Sequence, residues 1–231
     1  FLTLFTLAAL AYAATFRNGV DFAGRPPGAD FVTFWAASSL VLEGRALDVF
    51  DPSVMQSREV GLFPGATGML PWFYPPPTLL LVAPLAWVPY ALAFISFALG
   101  SLGAFLASLR PLVFAPQGWW LVAAFPGLWL SLAQGQPSLL TAALAGSGLQ
   151  LRENRPILAG VLIGLLAVKP QLALLLPLLL IVERRWTAFG AAAASASAFL
   201  AASLLILGPT CLDVAARASG GQRTRQRLGD T

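Results

Sequence analysis

The stretch "GVLIGLLAVKPQLALLLPLLLIV", residues 160–182, decides how this chain folds. Twenty-three residues run with a single charge, Lys169, which is also the only lysine of the sequence. A run of that length is enough to cross a bilayer, which needs about 20 apolar residues as one helix. Pro170 stands directly after the lysine, and proline restrains the residue before it to extended backbone. The run therefore reads as two apolar helices meeting at a break, with Lys169 and Gln171 at the corner. An ionisable residue at such a place marks a functional position by default. The bland alternative is a lysine that snorkels to the membrane interface at little cost.

The rest of the chain repeats the pattern. Of 231 residues, 58% are hydrophobic and only 10% charged, against about 25% charged in a soluble domain. This predicts an all-α, polytopic transmembrane protein over residues 1–209. "FLTLFTLAALAYAATF" (residues 1–16) reads as the remainder of a first transmembrane helix; it lacks the basic start and small-residue cleavage site of a signal peptide. "TLLLVAPLAWVP" (78–89) is too short to span alone, at about 12 residues, and reads as a broken helix leading into "YALAFISFALGSLGAFLASL". Further apolar segments follow Arg110, several of them short. The "GVLIG" pair, Gly160 and Gly164, reads as a close helix–helix contact.

Charge orients these segments. Arg110, Arg152, Arg155, Arg184 and Arg185 fall in three short loops. With alternating crossings all three lie on the cytoplasmic side, as positive loops do. The same alternation puts the Arg17–Pro77 loop, "AQGQPS" and "VKPQ" together on the outer side. Asp30, Gln134, Gln136 and Lys169 then share one face. The net charge of +4 follows these loops and the tail, so it points to membrane topology and not to nucleic acid. Residues 210–231 break the alternation with four more arginines and read as a disordered or non-native tail.

The outer loop, residues 17–77, holds six of the ten acidic residues. Within it, "DFVTFWAASSLVLEGRALDVFDP" predicts an amphipathic helix lying at the membrane surface. Phe31, Phe34, Trp35 and Leu42 would form its apolar face, Asp30 its N-cap and Gly44 its stop. Asp30 has two readings, a cap or a general base acting on a hydroxyl. Asp48 and Asp51 read as turn and cap residues. Lys169 would hold an anionic phosphate as a point charge. Nothing points to soluble nucleotide chemistry or a nucleophile elbow. The sequence has no histidine, and its single Cys211 allows no internal disulfide.

Four stretches, "GADFVTFWAASSLVLEGRALDVFDP", "FYPPPTLLLVAPLAWVP", "AQGQPSLLTAAL" and "AGVLIGLLAVKPQLALLLPLLLIVERRW", resemble in their order glycosyltransferase family 87 of the GT-C superfamily. These are polyprenyl-phosphate-mannose-dependent alpha-mannosyltransferase-like enzymes. The resemblance covers most of residues 28–186 and implies a GT-C-like N-terminal portion. It implies sugar transfer, with mannose as the expected sugar, from a polyprenyl-phosphate donor to a lipid or glycan hydroxyl, with inversion. The setting would be the inner membrane, with the active face periplasmic. Asp30 matches the family's general base, and Lys169 would stabilise the leaving phosphate. Gln136, Gln171 and Tyr74 would bind the sugar or phosphate. No cofactor or metal is required by this scheme, and the partners are donor, acceptor and membrane lipids. The resemblance also implies a longer chain, whose later part supplies a histidine to the site in some relatives. The alternatives are a transporter or flippase for an anionic lipid, and a catalytically inactive membrane scaffold.

Overall fold

Proline and glycine cut the chain into short helices. The computed structural model describes residues 20–67, 70–208 and 210–211, together with residues 11, 14 and 15. The proposed first transmembrane helix and nearly all of the tail lie outside the described residues. Among the described residues there are ten α-helices and no strand: α1 (Ala29–Leu42), α2 (Pro52–Leu62), α3 (Pro77–Val82), α4 (Tyr90–Leu109), α5 (Pro116–Ala124), α6 (Pro126–Gln134), α7 (Ser138–Leu151), α8 (Pro156–Gly164), α9 (Pro170–Val182) and α10 (Trp186–Leu207). Six of them open on proline, which fits a first helical position because its missing N–H would be unpaired there anyway. This is why most apolar runs end before they reach membrane-spanning length.

Two helices are long and apolar enough to cross a membrane, α4 with 20 residues and α10 with 22. Both turn much of their apolar surface outward, including Leu92, Ile95 and Leu99 on α4 and Leu200, Leu205 and Ile206 on α10. That is how a helix in lipid presents itself, since lipid tails are as apolar as leucine. The chain is thus an all-α membrane protein. "TLLLVAPLAWVP" forms α3 and a 3-10 turn, Ala83–Trp87, the broken helix expected before α4.

The helix α1 runs where the sequence predicts, and Gly44 ends it with a positive φ of 75°. Its character differs from expectation. Phe31, Val32, Thr33, Phe34, Ala36, Ala37, Ser38 and Leu40 are all buried, so burial is not confined to one face. The helix is enclosed by α2, α3 and the 3-10 turns at Ala46–Phe50 and Ala83–Trp87. It is the centre of a packed cluster, not an amphipathic helix lying on a surface. The cluster is aromatic: Phe31 lies 5.6 Å from Tyr90 and 5.3 Å from Phe97, and Phe34 lies 5.1 Å from Tyr74. Such ring pairs contribute about 0.5–1.5 kcal/mol each beyond their buried area.

One polar residue pins this cluster. The Ser38 hydroxyl is fully buried; it donates to the Ala83 carbonyl at 2.7 Å and accepts from the Ala86 N–H at 2.8 Å. Ser38→Ala leaves both backbone groups unpaired in the interior. We expect a loss of about 1–3 kcal/mol, read as a lower melting temperature in detergent. An unchanged melting temperature would count against the pinning role.

Candidate active site

Asp30 is placed by the "PPG" turn in front of it. Gly28 adopts the left-handed conformation, φ 66°, and is the N-cap of α1. A Cβ there would meet the Phe94 ring at 2.7 Å, so both backbone and packing require glycine. The Gly28 N–H donates to the Ala133 carbonyl at 3.1 Å, and the Tyr90 hydroxyl donates to the Pro27 carbonyl. The expected N-cap role of Asp30 is therefore corrected. Helical geometry begins at Ala29, Asp30 lies inside the first turn, and no side chain caps the helix. Its carboxylate profits from the helix N-terminus and lines a cavity.

The cavity has a volume of about 560 Å³ and three walls. Asp30, Thr33 and Phe34 come from α1, and the loop before α3 contributes Phe73 and Tyr74 among others. Val168, Lys169 and Gln171 come from the corner between α8 and α9. Tyr74 is held by tilted ring contacts with Phe34 and the buried Trp72, at 5.1 and 5.4 Å between centroids. Burial pushes its phenol above its ordinary value, and the nearby Asp30 charge adds to the shift. Tyr74 thus keeps its proton and stays a hydrogen-bond donor beside Asp30.

Lys169 emerges from the break that its proline neighbour imposes. A 3-10 turn, Leu165–Val168, ends α8, and Lys169 has extended backbone (φ −126°, ψ 92°) before Pro170 opens α9. Neither Asp30 nor Lys169 has an ion-pair partner among the described residues. A carboxylate and an ammonium from positions 139 apart thus share one cavity without neutralising each other. Gln171 lines it as well. Gln136 does not: its side-chain oxygen accepts from the Ser138 hydroxyl at 3.3 Å, in the turn between α6 and α7. Asp48 and Asp51 have local roles as read. Asp48 pairs with Arg45 at 2.7 Å, and Asp51 caps α2 through the Ser53 N–H at 2.8 Å.

The arginine loops gather elsewhere. Arg152 pairs with Glu183 at 2.6 Å and Arg185 with Glu153, which ties the loop before α8 to the loop before α10. Gln150 donates to the Ser108 carbonyl near the end of α4 at 2.9 Å. From this cluster α8 and its 3-10 turn, residues 156–168, lead to Lys169, roughly 20 Å at 1.5 Å per residue. The cavity and the arginine cluster therefore lie at opposite ends of this segment.

Residues 72–218 match the model of glycosyltransferase family 87. The chain belongs to glycosyltransferase family 87. No curated protein and no solved structure matches it. Membership makes it a membrane glycosyltransferase, an enzyme that takes a sugar from a donor and gives it to an acceptor. The matched region contains Tyr74, Lys169 and Gln171 and begins after Asp30, so two walls of the cavity fall within it and α1 does not.

The sequence alone reveals neither one cavity-lining residue of this family 87 enzyme, Thr33, nor its buried carboxyl, Glu59. Thr33 lines the cavity one helical turn after Asp30, a spacing that puts both on one face. Glu59, on α2, is only 1% exposed. Its sole sequence signal is its position four residues after Met55, on the face that α2 buries.

Proposed function

We propose that this chain transfers a sugar, mannose in our reading, from a polyprenyl-phosphate donor to a lipid or glycan hydroxyl at the outer face of the inner membrane. In this reading the crossings alternate as the arginine loops require, and the cavity faces outward. Asp30 takes the proton of the acceptor hydroxyl as its oxygen attacks the anomeric carbon. The bond from that carbon to the phosphate oxygen breaks, and its electron pair leaves with the lipid phosphate. Attack opposite the leaving group inverts the anomeric centre. Lys169 stabilises the charge that grows on the phosphate, an electrostatic role of the kind that carries much of catalysis. Tyr74 and Gln171 donate hydrogen bonds to the sugar or phosphate. Gln136, turned toward Ser138, has no place in this scheme.

The observation that carries the reading is the pair itself. A carboxylate and an ammonium, each without a neutralising partner among the described residues, line one cavity of sugar-phosphate size. The test supplies radiolabelled polyprenyl-phosphate mannose and membrane lipid acceptors to membranes holding wild type or Lys169→Ala. Transfer should fall about 100-fold or more, the scale of losing one electrostatic stabiliser. Lys169→Arg should recover only part, because a planar guanidinium replaces a compact point charge. Equal transfer by wild type and Lys169→Ala would remove the lysine from the mechanism. Absence of transfer by the wild type would overturn the activity for this chain.

A further inference from the structure

Positive charge and exposed apolar surface meet at the end of α8 away from the active-site cavity. A cavity of about 260 Å³ is lined there by Arg152, Glu153, Arg184, Arg185 and the first residues of α8 and α10. Another, of about 460 Å³, adjoins it and shares Pro156 and Thr187 with it. Its other walls are Ile157, Leu158 and Val161 of α8 and, where α8 begins, Arg155. These three apolar side chains are exposed, Ile157 to 66%. A basic pocket thus lies beside an apolar groove.

The arginines outnumber their partners. Arg152, Arg155, Arg184 and Arg185 stand against two carboxylates, Glu153 and Glu183. Arg152 and Arg185 take both of these. Arg155 and Arg184 have no ion-pair partner among the described residues. The helix ends add to the excess. Both α8 and α10 begin here, their N-caps are Arg155 and Arg185, and neither helix is capped by a side chain. A helix N-terminus carries positive partial charge and favours acidic groups, so arginines there leave a field that an anion would relieve. Arg184 also adopts the left-handed conformation, φ 55°, alone among the described non-glycine residues. Glycine would make this turn without strain, and strain kept at a cavity is a pointer to function.

We propose that the two adjoining cavities bind one anionic phospholipid, its phosphate among the arginines and an acyl chain along Ile157, Leu158 and Val161. In the orientation proposed above, this lipid belongs to the cytoplasmic leaflet. Basic pockets between transmembrane helices on that side hold anionic headgroups, and Trp186, which lines the basic pocket, is of a type that favours the interface. The groove selects a lipid over free phosphate, which would leave the apolar side chains uncovered. Basic loops that served topology alone would need neither the groove nor a strained arginine. The lipid bridges α8 and α10 and is distinct from the donor, whose cavity lies at the other end of α8.

The experiment needs no sugar transfer. Full chain stripped of lipid in detergent is titrated with phosphatidylglycerol, with phosphatidylcholine of the same acyl chains, and with inorganic phosphate. Native mass spectrometry counts the bound lipid. One phosphatidylglycerol per chain should bind, roughly tenfold tighter than phosphatidylcholine. Arg155→Gln and Arg184→Gly should each weaken it roughly fivefold. Arg184→Gly also relieves the backbone, so its melting temperature should hold or rise, and lost binding is then not lost folding. Ile157→Ser, at an exposed position, should weaken binding by about tenfold or less. Arg110→Gln, in a basic loop outside both cavities, should change nothing. Equal binding of the two lipids, or wild-type binding by Arg155→Gln and Arg184→Gly, overturns the inference. A loss in Arg110→Gln as large as in Arg184→Gly also overturns it, because diffuse surface charge would then be responsible. Displacement by inorganic phosphate with no effect of Ile157→Ser would leave an anion site and overturn the lipid.

Discussion

Asp30→Asn is expected to reduce sugar transfer by about 10²- to 10⁴-fold, the range that a positioned general base supplies. The loss should appear in kcat, with KM for the donor nearly unchanged, because asparagine keeps the shape and removes only the basic oxygen. The structure makes this a clean substitution. Asp30 holds no ion pair or side-chain cap among the described residues, and the turn before it is fixed by Gly28, Ala133 and Tyr90. The residual structural cost is the lost charge at the helix N-terminus, about 0.3–1 kcal/mol. Single-turnover transfer in membranes, alongside a melting curve in detergent, separates the two effects. Transfer within a few-fold of wild type would show that the acceptor proton goes elsewhere. A melting temperature that collapses with activity would assign Asp30 to folding.

The sequence carried the site's long-range pairing better than its local geometry. Lys169 and Asp30 are legible as companions because counting apolar segments between arginine loops puts both at one face, and Pro170 marks where one apolar run breaks. The local errors have a different origin. The N-cap expectation for Asp30, one of its two readings, follows from Asp before an apolar helix usually being one. Here Gly28, in a turn that only glycine tolerates, occupies that place. The surface helix is predicted from apolar periodicity, which says only that one face is buried. It cannot say that α2 and two 3-10 turns cover the other faces. Gln136 shares the depth of Lys169 by counting, yet Ser138 holds its side chain in a turn. Glu59 was least visible of all, since its burial exists only once α2 packs on α1.

These elements also explain why the site needs a fold around it. Lys169 belongs to a break in an apolar run, where backbone groups left by the helices need protein around them. The carboxylate belongs to a helix held by aromatic packing and by Ser38. Their relative position therefore depends on how α8 is fixed against its neighbours, and α8 is fixed mainly by α10.

Gly160→Leu should accordingly abolish both folding yield and transfer. A Cβ at Gly160 would stand 2.3 Å from the Ala188 carbonyl oxygen and 2.5 Å from the Ala191 Cβ, and one at Gly164 would stand 2.6 Å from the Ala192 carbonyl oxygen. Backbone atoms cannot swing aside as a flexible side chain can, so α8 and α10 must separate. In lipid no hydrophobic force between helices offsets that loss; close packing of small residues is what joins them. Overpacking typically costs about 1–3 kcal/mol, and a backbone clash of this kind belongs at or above the top of that range. Gly160→Ala should be destabilised in the same direction, and Gly164→Ala likewise. Gly190, on α10 itself, has open space where a Cβ would go. Gly190→Ala should be neutral or stabilising by about 0.5–1 kcal/mol, since alanine is the better helix former. Size-exclusion profiles and melting curves of the four variants in one detergent give the comparison. If Gly160→Leu matches Gly190→Ala, α8 and α10 do not meet as described, and the path that carries Lys169 to the cavity must be redrawn.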